Sequence, residues 1–237
     1  MNTIGPRLAL IGLGRMGRET AALAAERGWS VAATIGSREN REGQGITRDT
    51  LAGADVAIEF TRPESAPANV IACAAAGVPV VVGTTGWNDR LADVSALVER
   101  EGGAMLFAPN FSLGAAILHE LVSRAAGLLA AAPGFDVQLV EVHHAAKRDA
   151  PSGTALALRD AAAALGRELP ITSIRVGHVP GTHTLLADAP YEQLRLEHIA
   201  RDRRVFAEGA LAAAAWLAGR RGIYQLRDLF TTPEDAR

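Results

Sequence analysis

The chain is poor in cysteine, in lysine and in aromatic residues. Cys73 is the single cysteine of 237 residues. That excludes an intrachain disulfide framework and leads us to expect a reducing, cytoplasmic setting. An excess of either charge is missing too. Lys+Arg number 24 against 26 Asp+Glu, a formal net charge of -2, so neither nucleic acid nor an anionic membrane meets a basic field. No run approaches the roughly 18 uncharged apolar residues of a membrane helix. The opening MNTIGPRLALIG lacks the cationic start and long apolar core of a signal peptide. What remains, 49% hydrophobic and 21% charged, is the composition of a globular protein with one large domain or two small ones.

The shortage of lysine is the informative one. Of the 24 cationic residues 23 are Arg, and Lys147 stands alone. A general bias toward Arg accounts for this, with one Lys left by chance. A site that needs a compact, titratable amine where a guanidinium cannot serve accounts for it equally well.

Residues 8–11 form a short apolar run ending in glycine, as in a buried strand of a parallel sheet. Gly12-Leu13-Gly14-Arg15-Met16-Gly17 follows, then a helical stretch to residue 25 and a strand at 31–35. Strands at 56–60, 78–82 and 104–107 alternate with helices at 64–76 and 88–100, the second entered through a cap-like Asn88. This alternation predicts a doubly wound parallel sheet in an α/β fold. Beyond Asn110 the pattern changes. A helix is expected over 112–132, a strand over 137–143, a helix over 151–165, and strand-like runs at 174–176, 183–187 and 193–198. Strands no longer alternate with helices, so a second, smaller α+β domain is expected. A helix over 206–216 returns to the first. The expected division is 1–111 completed by 204–237, for a dinucleotide, and 112–203, for substrate and assembly.

Gly12, Gly14 and Gly17 follow a strand and open a helix. That order suits a pyrophosphate: a tight turn, a bare backbone at the phosphates, and close packing of helix on strand. The strand at 31–35 carries no Asp or Glu at its tip; Ser37 and Arg38 stand there instead and favour a 2′-phosphate, hence NADPH over NADH. Phe60-Thr61, Gly83-Thr84-Thr85 and Ala108-Pro109-Asn110-Phe111 fall at the C-terminal ends of expected parallel strands, the edge where such sheets bind ligands. They are candidate cofactor contacts.

The strongest segment is Glu141-Val142-His143-His144-Ala145-Ala146-Lys147-Arg148-Asp149-Ala150-Pro151-Ser152-Gly153-Thr154. Two histidines leave a strand and the one lysine follows four positions after the first. Both side-chain types exchange protons near neutral pH when their surroundings tune them. Ser152, Gly153 and Thr154 bring hydroxyls and free N–H groups to a helix start. Together they suit a small dianion that must be protonated. A metal held by the His pair and Asp149 is the competing reading, but no further ligands cluster in sequence, so none is expected. His119, His178, His183 and His198 are scattered singly and read as surface or packing residues. Arg203 and Arg204 add charge near the return to the first domain.

On these residues the chain resembles the dihydrodipicolinate reductase family of the diaminopimelate route to lysine. The likeness rests on Gly14 to Gly17, Phe60-Thr61 with Pro63-Glu64, Gly83 to Gly86, Ala108 to Ser112 and above all Glu141 to Leu156. The 203–210 stretch and Gly222-Ile223-Tyr224 agree with it, so it runs from end to end. It implies a Rossmann-type sheet that includes the C-terminal segment, a middle domain with a mixed sheet, and a homotetramer. The implied activity is reduction of hydroxy-tetrahydrodipicolinate by NADH or NADPH with loss of water. Carried over by position, His143 is the proton-transfer residue and Lys147 the proton donor. His144, Lys147, Ser152, Gly153 and Thr154 hold substrate carboxylates, and Arg203 matches an Arg near the same pocket. Three features depart from the family's common form: a glycine loop one residue shorter, Glu59 where Asp is usual, and no acid after the second strand. A catalytically silent NAD(P)-binding homologue and a reductase of another small dicarboxylate are the rivals; the intact His143 and Lys147 speak against the first.

Overall fold

The computed structural model describes residues 5–230, in two units. One holds the residues up to Phe111 and those from Phe206 onward; the other is Ser112–Val205.

The first unit begins with β1 (Leu8–Ile11), α1 (Arg15–Glu26), β2 (Val31–Ile35), β3 (Val56–Glu59), α2 (Ala66–Ala75), β4 (Val80–Val82), α3 (Leu91–Arg100) and β5 (Ala104–Phe107). β1, β3 and β4 are buried at every residue, as strands covered on both faces must be, which is why their sequences are continuous apolar runs. Ile11, Leu51, Val70, Val80, Val82, Val94 and Met105 meet in its core. Asn88 does not cap a helix, contrary to expectation. It opens a short 3₁₀ turn, Asn88–Arg90, and α3 starts after Arg90 with no side-chain cap.

The second unit contains α4 (Leu113–Ala131), β6 (Asp136–His143), α5 (Gly153–Ala161), β7 (Ile171–Arg175), β8 (Gly181–Ala189) and β9 (Glu192–Ala200). Its strands lie in the order β7-β6-β8-β9. β7 is parallel to β6, and β8 and β9 are antiparallel neighbours, so the sheet is mixed. Val137 and Leu139 on β6 and Leu185 and Ala187 on β8 pack with Leu118, Val122 and Leu158 of the helices. α4 is long and apolar enough to cross a membrane by length and composition alone, although no such stretch was expected from the sequence. It carries Glu120 and Arg124, and Leu118, Val122, Ala125 and Ala126 bury one face in the core, while Ile117, Leu121 and Leu128 stay exposed.

The chain then returns through α6 (Arg204–Leu217) to β10 (Gly222–Gln225), which pairs parallel with β5. This completes a six-stranded parallel sheet in the order β10-β5-β4-β3-β1-β2. β1 lies between β2 and β3, so the chain leaves β1 to one side and resumes on the other. A crevice opens at such a reversal beyond the strand ends. The expected elements from the 206–216 helix onward did not include β10; four residues with one glycine and no fully buried position give little periodic signal.

Candidate functional site

The glycine loop sits at that reversal. Gly12 N donates to Ile35 O at 2.9 Å and Phe60 N to Ile11 O at 2.9 Å, so the loop is fastened between its neighbouring strand ends. Gly12 has φ +93, and a Cβ there would collide with the Phe60 carbonyl. A Cβ on Gly17 would strike the carbonyl of Gly12. Gly14, the N-cap of α1, faces open space instead. Two glycines are thus needed for backbone approach, and the third leaves a helix start bare for a phosphate. Leu13 and Arg15 are exposed beside it and Met16 is half-buried.

The loops after β3, β4 and β5 form the rest of this edge. Thr61 N donates to Thr84 Oγ1 at 2.7 Å, and Trp87 Nε1 to Thr84 O at 2.7 Å. A side chain on Gly83 would occupy the space of the Phe60 ring, which meets Phe111 edge-on at 6.3 Å. Thr85 and Pro109 are exposed, Asn110 is half-buried, and Ala108 is buried with its N–H on Val82 O at 3.3 Å. Beneath them Glu59 is buried, hydrogen-bonded to Thr61 Oγ1 and, at 3.2 Å, to Asn69 Nδ2. Burial pushes its carboxyl up from the ordinary range, against the pull of those partners and Thr84. Ser37 and Arg38 lie exposed in the turn after β2. Glu39 folds back over Gly36, its Oε2 2.8 Å from where a Cβ on Gly36 would stand. A carboxylate therefore does reach the tip of β2, from three residues beyond the strand's closing glycine, a position that sequence spacing did not single out.

In the second unit, the face of β6 that buries Val137 and Leu139 continues with Glu141 and His143, because side chains two apart share a face. The same change occurs on the flanking strands. Register sets Leu139 opposite Ile171 and Leu185. It then sets Glu141 opposite Ser173 and His183, and His143 opposite Arg175. Where the apolar core ends, two rungs of polar side chains begin.

Glu141 is the centre of this arrangement and is 1% exposed. Its Oε1 accepts from Ser152 N at 3.0 Å, Ser173 Oγ at 2.7 Å and Arg175 Nη2 at 2.8 Å. Burial pushes the carboxyl up, but these hydrogen bonds outweigh it and bring it down to about 2. Oε2 faces His143 Nδ1 at 3.3 Å and His183 Nε2 at 3.8 Å. The two imidazoles meet edge-on, 5.1 Å apart at 72°. Burial lowers His143 below the usual histidine range, Glu141 opposes that, and Lys147 and Arg175 add to it. His183 is lowered to about 4 by burial and by His143.

The loop after β6 is held against β7: Val176 N donates to His143 O at 2.9 Å, Ala145 N to Gly177 O at 3.1 Å, and Arg175 Nη2 to Asp149 O. Lys147 Nζ pairs with Asp149 at 2.7 and 2.8 Å, which holds that carboxyl below its ordinary value. Ser152 caps α5 by accepting from Ala155 N at 3.2 Å, and its Oγ lies 3.3 Å from His183 Nε2. Gly153 is exposed at the helix start, with nothing near the place of a Cβ, and Thr154 follows half-buried. His144 is half-buried at the strand end.

His143, His144, Lys147 and the Ser152–Thr154 turn thus come from one strand end, its loop and the next helix start. Arg203 is exposed in the turn before α6, and among the described residues no hydrogen bond or ion pair joins it to this cluster. His183, expected as a surface or packing residue, is buried and packs edge-on against His143, and its Nε2 also faces Glu141 Oε2 and Ser152 Oγ. Sequence reasoning missed Glu141, Ser173, Arg175 and His183 as one group because only strand register joins them. Glu141, His143 and His183 offer three donor atoms within 4.8 Å of one another, a spacing suited to a metal ion. The Arg175 guanidinium already supplies the positive charge on that carboxylate.

Comparison with known proteins agrees with this division of features. Residues 6–111 match the family model "Dihydrodipicolinate reductase, N-terminus" and residues 114–230 match "Dihydrodipicolinate reductase, C-terminus". A 4-hydroxy-tetrahydrodipicolinate reductase of Christiangramia forsetii is 32% identical over 94% of this chain and 97% of its own length. One from Xanthomonas euvesicatoria pv. vesicatoria is 42% identical over 91% of this chain and 93% of its own. A dipicolinate-bound dihydrodipicolinate reductase from Paenisporosarcina sp. TG-14 shares the fold, with a TM-score of 0.77 at 21% identity, over 94% of this chain and 99% of its own. With both halves matched in order and the glycine loop and the His-Lys-Ser-Gly-Thr segment intact, the chain belongs to the dihydrodipicolinate reductase family.

Proposed function

We propose that this protein reduces 4-hydroxy-tetrahydrodipicolinate to tetrahydrodipicolinate in the diaminopimelate route to lysine. Substrate, NAD(P)H and a proton give product, NAD(P)+ and water. The observation that carries this reading is the family match over both halves of the chain, joined to the complete proton-bearing segment from His143 to Thr154.

The first unit fits a nicotinamide dinucleotide: the space above Gly14 is open where Gly12 and Gly17 leave no room for side chains. Gly12, Leu13, Gly14, Arg15, Met16 and Gly17 would hold its pyrophosphate on the α1 N-terminus. Ser37, Arg38 and Glu39 would meet the adenosine ribose, and Phe60, Thr61, Gly83, Thr84, Thr85 and Ala108 to Phe111 the nicotinamide side. The bound cofactor supplies a hydride. Arg38 favours NADPH and Glu39 favours NADH, so the chain carries both kinds of ribose determinant.

The second unit supplies the substrate's partners. The α5 start at Gly153 opens to free space and offers a carboxylate the positive end of the helix dipole, flanked by the hydroxyls of Ser152 and Thr154. Lys147 takes a carboxylate in place of Asp149, and His144 adds a donor. Reduction of a conjugated imine leaves negative charge on the atoms next to the reduced carbon, and a proton must reach them. His143 delivers it and Lys147 is the second donor. Arg203 is assigned to the same substrate by position in the family pattern.

The exposed Ile117, Leu121 and Leu128 on α4 and Leu194 and Ile199 on β9 support self-association, and we assign a homotetramer. A cytoplasmic location suits the single cysteine, Cys73, which is free and buried.

The decisive assay follows NADH and NADPH oxidation by absorbance, with substrate generated in situ by the preceding synthase. Oxidation that depends on the synthase supports the proposal; none with either nucleotide refutes it.

A further inference from the structure

A buried carboxylate held by three donors is costly to build, and nothing assigned above uses Glu141 directly. Among the described residues Oε1 carries all of its hydrogen bonds, from a β7 hydroxyl, a β7 guanidinium and the α5 N-terminal backbone. Oε2 is buried and left without one, as is His143 Nδ1 3.3 Å away. The carboxylate is therefore fixed from one side, with its other oxygen turned toward the imidazole. Such an oxygen holds a proton on Nδ1 and leaves Nε2 as the outward, reactive nitrogen.

The opposite edge of the ring is shaped to match. A Cβ on Gly181 would stand 3.2 Å from His143 Nε2 and 3.3 Å from Cδ2. The strand beside Nε2 therefore carries no side chain at that level, whereas His183, the next residue on the same face, packs edge-on against the ring.

We propose that Glu141 is a positioning residue for His143: its pinned carboxylate keeps the proton on Nδ1, so that Nε2 is the nitrogen that transfers a proton. This rests on the proton-transfer role given to His143 above. Glu141 touches neither substrate nor cofactor and acts through the imidazole. It also favours the imidazolium against burial and the opposing cations that face the ring, Lys147 from the loop and Arg175 from β7, with Asp149 on the favouring side; His183 packs against the ring from β8. His198, across β9 from His183, completes the titratable groups of that rung.

The first test needs no variant. Long-range ¹H–¹⁵N spectra of the ¹⁵N-histidine-labelled protein report which nitrogen carries the proton, and with 6 histidines the His143 signals are identified by their loss in His143→Gln. The Nδ1–H form is expected at neutral pH; a predominantly Nε2–H form overturns the proposal. The second test is Glu141→Gln. Tautomer selection should be lost, and kcat should fall on the order of 10- to 10³-fold while the KM for nucleotide stays within about two-fold. An acid role needs the imidazolium, so activity falls as pH rises through its pKa. Removing the carboxylate should move that falling limb to lower pH by about one unit. A Glu141→Gln enzyme that is folded by circular dichroism, with wild-type turnover and an unmoved limb, overturns the proposal. If His143→Gln keeps full turnover, the chemical role of His143 fails instead, and the tautomer spectra still decide whether Glu141 orients the ring.

Discussion

Arg175→Met tests whether the charge balance around Glu141 holds the second unit together. The wild-type carboxyl is brought from 4.5 to about 2. At roughly 1.4 kcal/mol per pH unit, that is a net gain of about 3.5 kcal/mol left after the partners have offset burial. Met keeps much of the volume of Arg175 but leaves Glu141 with Ser173 and Ser152 N and no countercharge. Stripping one partner from a buried pair costs about 3–5 kcal/mol, so a loss of about 2–4 kcal/mol at pH 7 is expected. The sign follows from the depressed pKa. The wild-type contribution is complete above about pH 4.5 and lost as the pH falls toward 2, and the variant should lack that step. Tryptophan fluorescence would miss the event, because Trp29, Trp87 and Trp216 all lie in the first unit. Hydrogen exchange by mass spectrometry reads β6 and β8 directly. Their amides should exchange on the order of 10²-fold faster in the variant, with the first unit's strands unchanged. Equal protection of β6 in both proteins at pH 7 would refute the reasoning.

Lys147→Arg and His143→Gln should each lose turnover on the order of 10²-fold, with nucleotide binding by fluorescence titration near wild type; full turnover in Lys147→Arg would show that charge alone matters there. Arg38→Ala should weaken NADPH about ten-fold more than NADH, measured as the ratio of dissociation constants, and equal losses would remove Arg38 from 2′-phosphate recognition. Gly17→Ala forces a methyl group onto the Gly12 carbonyl, so nucleotide affinity should drop at least ten-fold by titration while β6 keeps its exchange protection; unchanged affinity would dismiss the close-approach argument.

Most of the first unit was legible because its central strands β1, β3 and β4 are buried throughout and its apolar runs are punctuated by glycine. The 8–11 and 31–35 strands fall where the apolar runs begin and end. Helix starts were less so: Asn88 looks like a cap but stands at a 3₁₀ turn, a choice made by tertiary contacts rather than by its own preference. The His143–Lys147 and Ser152–Thr154 groups are contiguous in sequence, so the string itself announced them. Glu141, Ser173, Arg175 and His183 span more than forty positions and meet only because parallel and antiparallel registers align them. Periodicity fixes which face a residue takes and says nothing about which strand lies beside it. Glu39 was hidden for a similar reason, since its carboxylate returns to Gly36 through a turn.

The pairing of β10 with β5 orders events during synthesis. The second unit is encoded wholly between these two strands, so it can emerge and collapse while β5 still presents an open hydrogen-bonding edge. That edge closes only after residues 222–225 leave the ribosome, more than a hundred residues later. α6 must arrive first and seat Gly209, where a side chain would collide with the Phe111 carbonyl. Nascent chains halted within the second unit therefore carry a five-stranded parallel sheet with an unprotected border, the state in which edge-to-edge association is most exposed.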